Sequence, residues 1–204
     1  MGVRRVRIST ALALSLAAFF VVPSVAWAGW QEQISAADRD RLEHLGQIRE
    51  AALAEAGRSR GDGDGRVVDR VMRPQGHMIP ASALMGNWRC RQIKLGGMTS
   101  YMVYSAWFRC SIHNSRGRLV LEKVNGTQRF AGELFPYNGA WVYLGASSAK
   151  GEPRHRYSGP SAAIGAAETP DDQVGLLTGI GDNHLRLEMP AVQESLLDVV
   201  EFVR

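Results

Sequence analysis

Few side chains in this sequence are of a type and spacing that could do chemistry. The two cysteines, Cys90 and Cys110, lack the further Cys or His at short spacing that a zinc site uses, so a metal is disfavoured. In an oxidising compartment they would pair instead. Closing a loop of about 20 residues contributes roughly 3 kcal/mol by restricting the unfolded chain. Two independent buried thiols are the alternative. The five histidines, His44, His77, His113, His155 and His184, never fall at the close spacing of a metal site on one element. Isolated in this way, a histidine is more often a surface or structural group than a catalytic base. Asp62 and Asp64 begin like a calcium loop, but the third ligand position is Arg66 and the closing position, where a glutamate is needed, is Arg73. Calcium is rejected there. The sequence contains no G-x-S-x-G elbow, H-E-x-x-H pair, phosphate loop or dinucleotide fingerprint. The reading leans away from an enzyme and calls for no cofactor, although partners distant in sequence could still meet as a triad.

The elements that would position these residues are mostly strands. After Pro80, β-branched and aromatic residues alternate with polar ones, with turn residues between. The candidates are 87–95, 101–113, 118–124, 128–135, 140–144, 174–180, 184–189 and 197–203. Links such as Leu95-Gly96-Gly97-Met98 and Asn125-Gly126 predict hairpins, and without helical crossovers the strands form an antiparallel meander. The expected fold is mainly β: a small antiparallel barrel of about eight strands, calycin-like, since closure removes exposed edges. Side chains alternate between faces, so Cys110 shares an apolar face with Met102, Tyr104, Ala106, Phe108 and Ile112, and Cys90 shares its face with Trp88. The bridge would staple two neighbouring strands from inside. Trp88 and Lys94 have the same strand parity, and Arg129 is a cation beside an apolar strand face. These three are the candidate ligand-binding residues if one end of the barrel is open. Against that stands the ordinary preference of tryptophan for the core and of long cations for water. Residues 146–172, rich in Gly, Ala, Ser and Pro, read as a long loop or lid.

One amphipathic helix is expected before the barrel. Ser35 can cap it with Asp38 three residues on, and Leu42, Leu45, Ile48, Ala52 and Leu53 recur at helical spacing as far as Gly57. The RSRGDGDGR run, Arg58 to Arg66, can bury nothing and reads as a flexible linker. The chain opens with Arg4, Arg5 and Arg7, an apolar run, Pro23 and small residues at Ala26 and Ala28, the order of a cleavable signal peptide, with cleavage between Ala28 and Gly29. The apolar run of about 15 residues is short of the roughly 20 that cross a bilayer as a helix, so no membrane span is expected after cleavage. Arg7 and the lack of a preceding Ser or Thr favour the general secretory route over twin-arginine export. The expected division is therefore 1–28 signal peptide, 29–57 helix, 58–80 linker and 81–204 barrel, with a periplasmic or secreted address. Removing the signal lowers Lys plus Arg from 24 to 21 against 20 acidic residues. A net charge near +1 gives little support for a nucleic-acid partner, which would need a concentrated basic face, and none is expected. No feature of the sequence sets an oligomeric state.

Gly86-Asn87-Trp88 resembles the G-x-W of lipocalin-type and avidin-type barrels, where the tryptophan plugs one end. Trp88, Cys90 and Cys110 are similar in order to the start of a bacterial metalloprotease-inhibitor barrel. Four blocks, DRDRLE (Asp38 to Glu43), GNWRCRQIKLGG (Gly86 to Gly97), EKVNGTQR (Glu122 to Arg129) and ESLLDVVEF (Glu194 to Phe202), together resemble the family called domain of unknown function 4893. That resemblance implies export and the boundaries above, and supplies no catalytic residues. The expected function is a non-enzymatic envelope protein whose barrel binds a small apolar or amphipathic ligand at an open end. The alternative is a module that binds an envelope protein, such as an inhibitor of a secreted protease. An enzyme of unrecognised type ranks third.

Overall fold

Short alternating strands leave backbone edges that only neighbouring strands can satisfy, and a closed sheet has no edge left over. In the computed structural model, which describes residues 2, 29–57, 63–98, 100–160, 171–191 and 194–204, the strands close. They are β1 (Gly86–Leu95), β2 (Tyr101–Val103), β3 (Phe108–Ser115), β4 (Arg118–Lys123), β5 (Gln128–Tyr137), β6 (Ala140–Ala149), β7 (Asp172–Gly181), β8 (His184–Pro190) and β9 (Leu197–Val203). All pair antiparallel in the order β2-β1-β3-β4-β5-β6-β7-β8-β9, and β9 returns to β1 from Arg89↔Val203 to Leu95↔Leu197. Eight strands, β1 and β3 to β9, therefore form the barrel wall. Apart from Gly2, the expected signal peptide, with the Ala28 side of its cleavage point, lies outside the described residues.

The second expected strand, 101–113, is interrupted. Ile93 pairs with Val103 but Cys90 with Phe108, so four residues, 104–107, stand opposite two on β1. On the outer face beside this break, the guanidinium carbons of Arg91 and Arg89 lie 4.6 and 5.2 Å from the Trp107 ring centre. Cation–π attraction of this kind is worth about 0.5–2 kcal/mol and braces the break. Parity survives it: Cys110 and Ile112 point into the lumen, and Cys90 and Cys110 form a disulfide across β1 and β3.

Among the described residues, five helices accompany the barrel: α1 (Trp30–Gln33), α2 (Ala36–Glu43), α3 (Leu45–Gly57), α4 (Gly63–Met72) and α5 (Ala81–Leu84). The single helix expected from Ser35 to Gly57 is thus broken at His44. Its start is as read, with the Ser35 hydroxyl accepting from the Asp38 amide. At the break, His44 Nδ1 lies 2.8 Å from the Asp40 carbonyl, and a side chain that competes for a helix carbonyl weakens the turn. Of the expected linker, residues 58–62 lie outside the described residues and 63–72 are α4. The reason is an apolar stripe, Val68, Val71 and Met72, buried against the barrel. The GDGDG run that precedes the stripe hides it in the composition. Within the expected loop of 146–172, β6 reaches Ala149 and residues 161–170 lie outside the described residues. The segment between them is tied down by Tyr157, whose hydroxyl donates to Asp38 (2.6 Å) and accepts from the Ser35 amide (2.9 Å).

Two apolar cores result. The lumen holds Trp88, Ile112, Leu121, Leu134, Trp141, Leu177, Leu185, Leu187 and Phe202. A second core lies between the outer wall and the helices, with Ile93, Leu95, Val142, Leu144, Val174 and Val199 facing Leu45, Ala52, Ala56, Val68 and Val71. Tyr143 crosses the middle of the lumen above Gly132 and Gly145. A Cβ on either glycine would overlap its ring, so these two positions leave the ring its space.

Charges are also buried on the outer wall. Glu201 accepts from Arg91 Nε (2.6 Å) and lies 2.8 Å from His184 Nε2. Burial alone would raise its carboxyl above the ordinary 4.5, but the bonds to His184 and Arg91 outweigh that and hold it lower. A carboxyl depressed on folding stabilises at pH above its unfolded value, and this stabilisation is lost as pH falls through the folded value. We therefore expect Glu201→Gln, the weaker protein at pH 6, to lose less stability than the parent between pH 6 and pH 3. Urea midpoints at the two pH values check this, and parallel losses would contradict it.

Candidate ligand-binding site

The two ends of the lumen differ because the inward positions of the strands change in character along their length. At one end the inward residues are apolar and pack together, and beyond them an open depression of about 690 Å³ is lined by Trp88, Arg89, Arg109, Cys110, Val124 and Arg204. Trp88 sits at that end, its indole NH donating to the Leu84 carbonyl (2.8 Å), with the Arg204 guanidinium 3.8 Å from the ring centre. At the other end the inward positions become Gln92 and Lys94 on β1, Lys123 on β4, Gln128 on β5, Ser147 on β6, Gln173 on β7 and Asp198 on β9. These surround a cavity of about 120 Å³, with Phe130, Met189 and Val200 as apolar lining and Arg129, Asp172 and Glu194 also contributing. Its register is fixed by β-pairing: Lys94 lies opposite Asp198 and Lys123 opposite Cys110 on the adjacent strands.

Of the 24 Lys and Arg residues, three are lysines, Lys94, Lys123 and Lys150, and two of the three line this cavity. They are held differently. Lys94 Nζ is 2.5 Å from Glu194. Burial works against its charge, but the bond to Glu194, with Asp198 and Glu194 as nearby charges, outweighs burial and raises its pKa. Glu194 is correspondingly held below the usual carboxylate range by Lys94. Lys123 is 8% exposed and has no ion pair or hydrogen bond to another described residue. Its ammonium lies 3.9 Å from the centre of the Phe108 ring, and burial lowers its pKa. Across the cavity, burial raises the Asp198 carboxyl, while Ser195 (2.6 Å), Lys94 and Gln92 (3.2 Å) pull it back. Gln173 Oε1 and Arg129 Nε are buried with no hydrogen-bond partner among the described residues. Such a cup can receive a small group that accepts hydrogen bonds and carries negative charge.

Of the residues singled out from sequence, Lys94 and Arg129 meet at this cavity and Trp88 does not. Trp88 shares the lumen face with Lys94, as parity requires, but sits at the opposite end, where it lines the open depression. Lys123, Gln92, Gln128, Ser147, Gln173 and Asp198 were missed. A signal for Lys123 exists in the sequence: it continues the inward series Leu119, Leu121, and the chain otherwise uses arginine almost everywhere for positive charge. Among the described residues, no three His, Cys, Asp or Glu side chains gather to hold a metal ion.

Beside the cavity mouth the β1–β2 hairpin carries exposed apolar side chains. Met98 is 83% exposed, and Met102 and Tyr104 are also exposed. Met102 pairs with Lys94, and the Met98 amide donates to the Glu194 carbonyl, which places both residues at the rim. Gly96 and Gly97 carry the turn at φ of 69° and 77°, a region that disfavours side chains. A Cβ on Gly97 would also meet the Glu194 carbonyl at 2.7 Å.

Comparison with solved structures finds a redesigned β-barrel at 10% identity and a TM-score of 0.38, covering 64% of this chain and 98% of that one. No curated protein matches the chain. A family model matches residues 30–202, which take in the helices and the whole barrel, and the chain belongs to the family described as domain of unknown function DUF4893.

Proposed function

We propose that the protein is a non-enzymatic binding module of the bacterial envelope, exported by its N-terminal segment, and that the polar end of its barrel receives the anionic group of a small amphipathic ligand. The observation that carries the reading is Lys123, a buried cation with no counter-charge among the described residues, facing a cavity. A buried charge is stable only when paired or solvated, and a ligand carboxylate would supply the missing partner. The apolar side chains of the lumen pack against one another, and the open depression at the Trp88 end lacks a buried unpaired cation. A space of about 120 Å³ accepts a head group and little more. The tail would then leave through the mouth across Met98, Met102 and Tyr104.

Calorimetric titration with octanoate, octylamine and octanol at pH 7 tests this. Octanoate should bind at least about ten-fold more tightly than either neutral or cationic analogue, and Lys123→Met should remove about that factor. One charge-assisted hydrogen bond is worth roughly 1.5 kcal/mol or more, which is about ten-fold in affinity. Equal affinities for the three probes, or no binding of octanoate, would overturn the reading.

A further inference from the structure

We propose that Lys123 is a carbonyl-binding amine, which forms a reversible imine with a small aldehyde entering the polar end of the lumen. The inference rests on the reading that this cavity admits a ligand, and concerns what the lysine does there beyond supplying charge. An arginine would bind an anion better, because its planar fork gives two parallel hydrogen bonds and it never loses its proton. This chain uses arginine for nearly all its positive charge, yet places two of its three lysines here. Lysine differs from arginine in being able to become an uncharged nucleophile. Lys94 is tied to Glu194 and keeps its proton. Lys123 has no carboxylate within ion-pair distance among the described residues, is almost fully buried, and lies in a site where burial favours the neutral amine. The charged groups around the cavity are Lys94, Arg129, Asp172, Glu194 and Asp198. Lys94 and Arg129 disfavour a second positive charge, and the three carboxylates act in the other direction.

The chemistry balances without a further reagent. The Lys123 nitrogen lone pair adds to the carbonyl carbon, and the carbonyl π pair moves to oxygen, which takes up a proton. The carbinolamine then expels that oxygen as water, carrying both protons of the original amine, and a carbon–nitrogen double bond remains. Ser147 and the side-chain amides of Gln128 and Gln173 line the same cavity and offer hydrogen bonds to the intermediate hydroxyl. Hydrolysis reverses the step.

The test is reductive trapping. The purified protein is treated with propanal and cyanoborohydride at pH 7, and labelling of each lysine is followed by peptide mass analysis. Lys150, an exposed residue, is the internal reference. Lys123 should be labelled several-fold faster than Lys150, since burial favours its uncharged form. Lys123→Arg, with unchanged near-ultraviolet circular dichroism, should abolish the fast label and leave that of Lys150. Labelling of Lys123 at the rate of Lys150 or slower would overturn the proposal. The two readings fail separately. Selective labelling without octanoate binding removes the anion reading alone, and Lys123-dependent octanoate binding without selective labelling removes the imine alone.

Discussion

Replacing Arg186 with methionine is expected to destabilise the protein by about 3–5 kcal/mol, the usual effect of breaking a buried ion pair by removing one partner. Arg186 is 2% exposed. Its Nη1 donates to the carbonyls of Val71 (3.0 Å) and Pro74 (3.1 Å) at the end of α4, and its Nε lies 2.8 Å from Glu188. Burial lowers its pKa and the Glu188 charge opposes that. Arg49 flanks the same carboxylate at 3.3 Å and donates to the Met72 carbonyl (2.6 Å). Two cations thus meet the negative end of α4, where a helix favours them, and share one carboxylate on β8. Methionine would leave the Val71 and Pro74 carbonyls unpaired and Glu188 with Arg49 alone. For a domain of this size the loss corresponds to roughly 10 °C in melting temperature. The double change Arg186→Met/Glu188→Met should recover part of it, because removing both charges leaves no isolated one. Thermal melts of the two variants beside the parent measure this, and hydrogen exchange should show α4 deprotected in the single variant. A single variant within about 0.5 kcal/mol of the parent, the range of an ordinary surface change, would show that this cluster does not hold α4 to the barrel.

The second large effect concerns the Cys90–Cys110 bridge. Both sulfurs lie in the lumen core, and the bond joins β1 to β3 across a sequence separation of 20 residues. Replacing both cysteines with alanine should lower stability by about 3 kcal/mol through the freed loop, and somewhat more because smaller side chains leave space in a packed layer. In a denaturant titration the parent should shift to lower midpoint when a reductant is added, while the double-alanine protein should not respond. Identical midpoints for the parent with and without reductant would contradict a stabilising bridge. The bridge also lies one inward step below Gln92, so its loss should weaken octanoate binding as well as the fold.

Much of this architecture is legible in the residues. Strands declare themselves where one face is buried and the other wet, which is why β4, β8 and β9 begin where the alternation begins, at Arg118, His184 and Leu197. Ser35 and Asp38 mark a helix start by the hydrogen bond they make. Cys90 and Cys110 could be assigned to one face from parity alone. What was hidden depends on contacts distant in sequence. Helix α4 exists because Val68 and Val71 find the outer wall, and its glycine-rich first turn carries no sign of that. The break at 104–107 is braced by Trp107 packing on Arg89 and Arg91, and the alternation of residues carries no sign of it. Trp88 and Lys94 share parity, but parity states only which face a side chain is on, not which end of the barrel holds the polar cavity. That is decided by bulk: Trp141, Leu134 and Phe202 pack one half, while Gly145, Ser147 and Gln173 leave the other open. Lys123 was passed over because a lysine at a strand end is ordinarily solvated, and only closure of the sheet turns it inward.

The central claim is that a ligand's anionic group enters the polar end of the lumen. Its most direct test is an amide-resolved nuclear magnetic resonance titration with octanoate. The predicted result is saturable shifts concentrated at Gln92, Lys94, Lys123, Ser147 and Gln173, greatly reduced in Lys123→Met. Absence of shifts, or shifts centred on Trp88 and Arg204 at the opposite end, would contradict it.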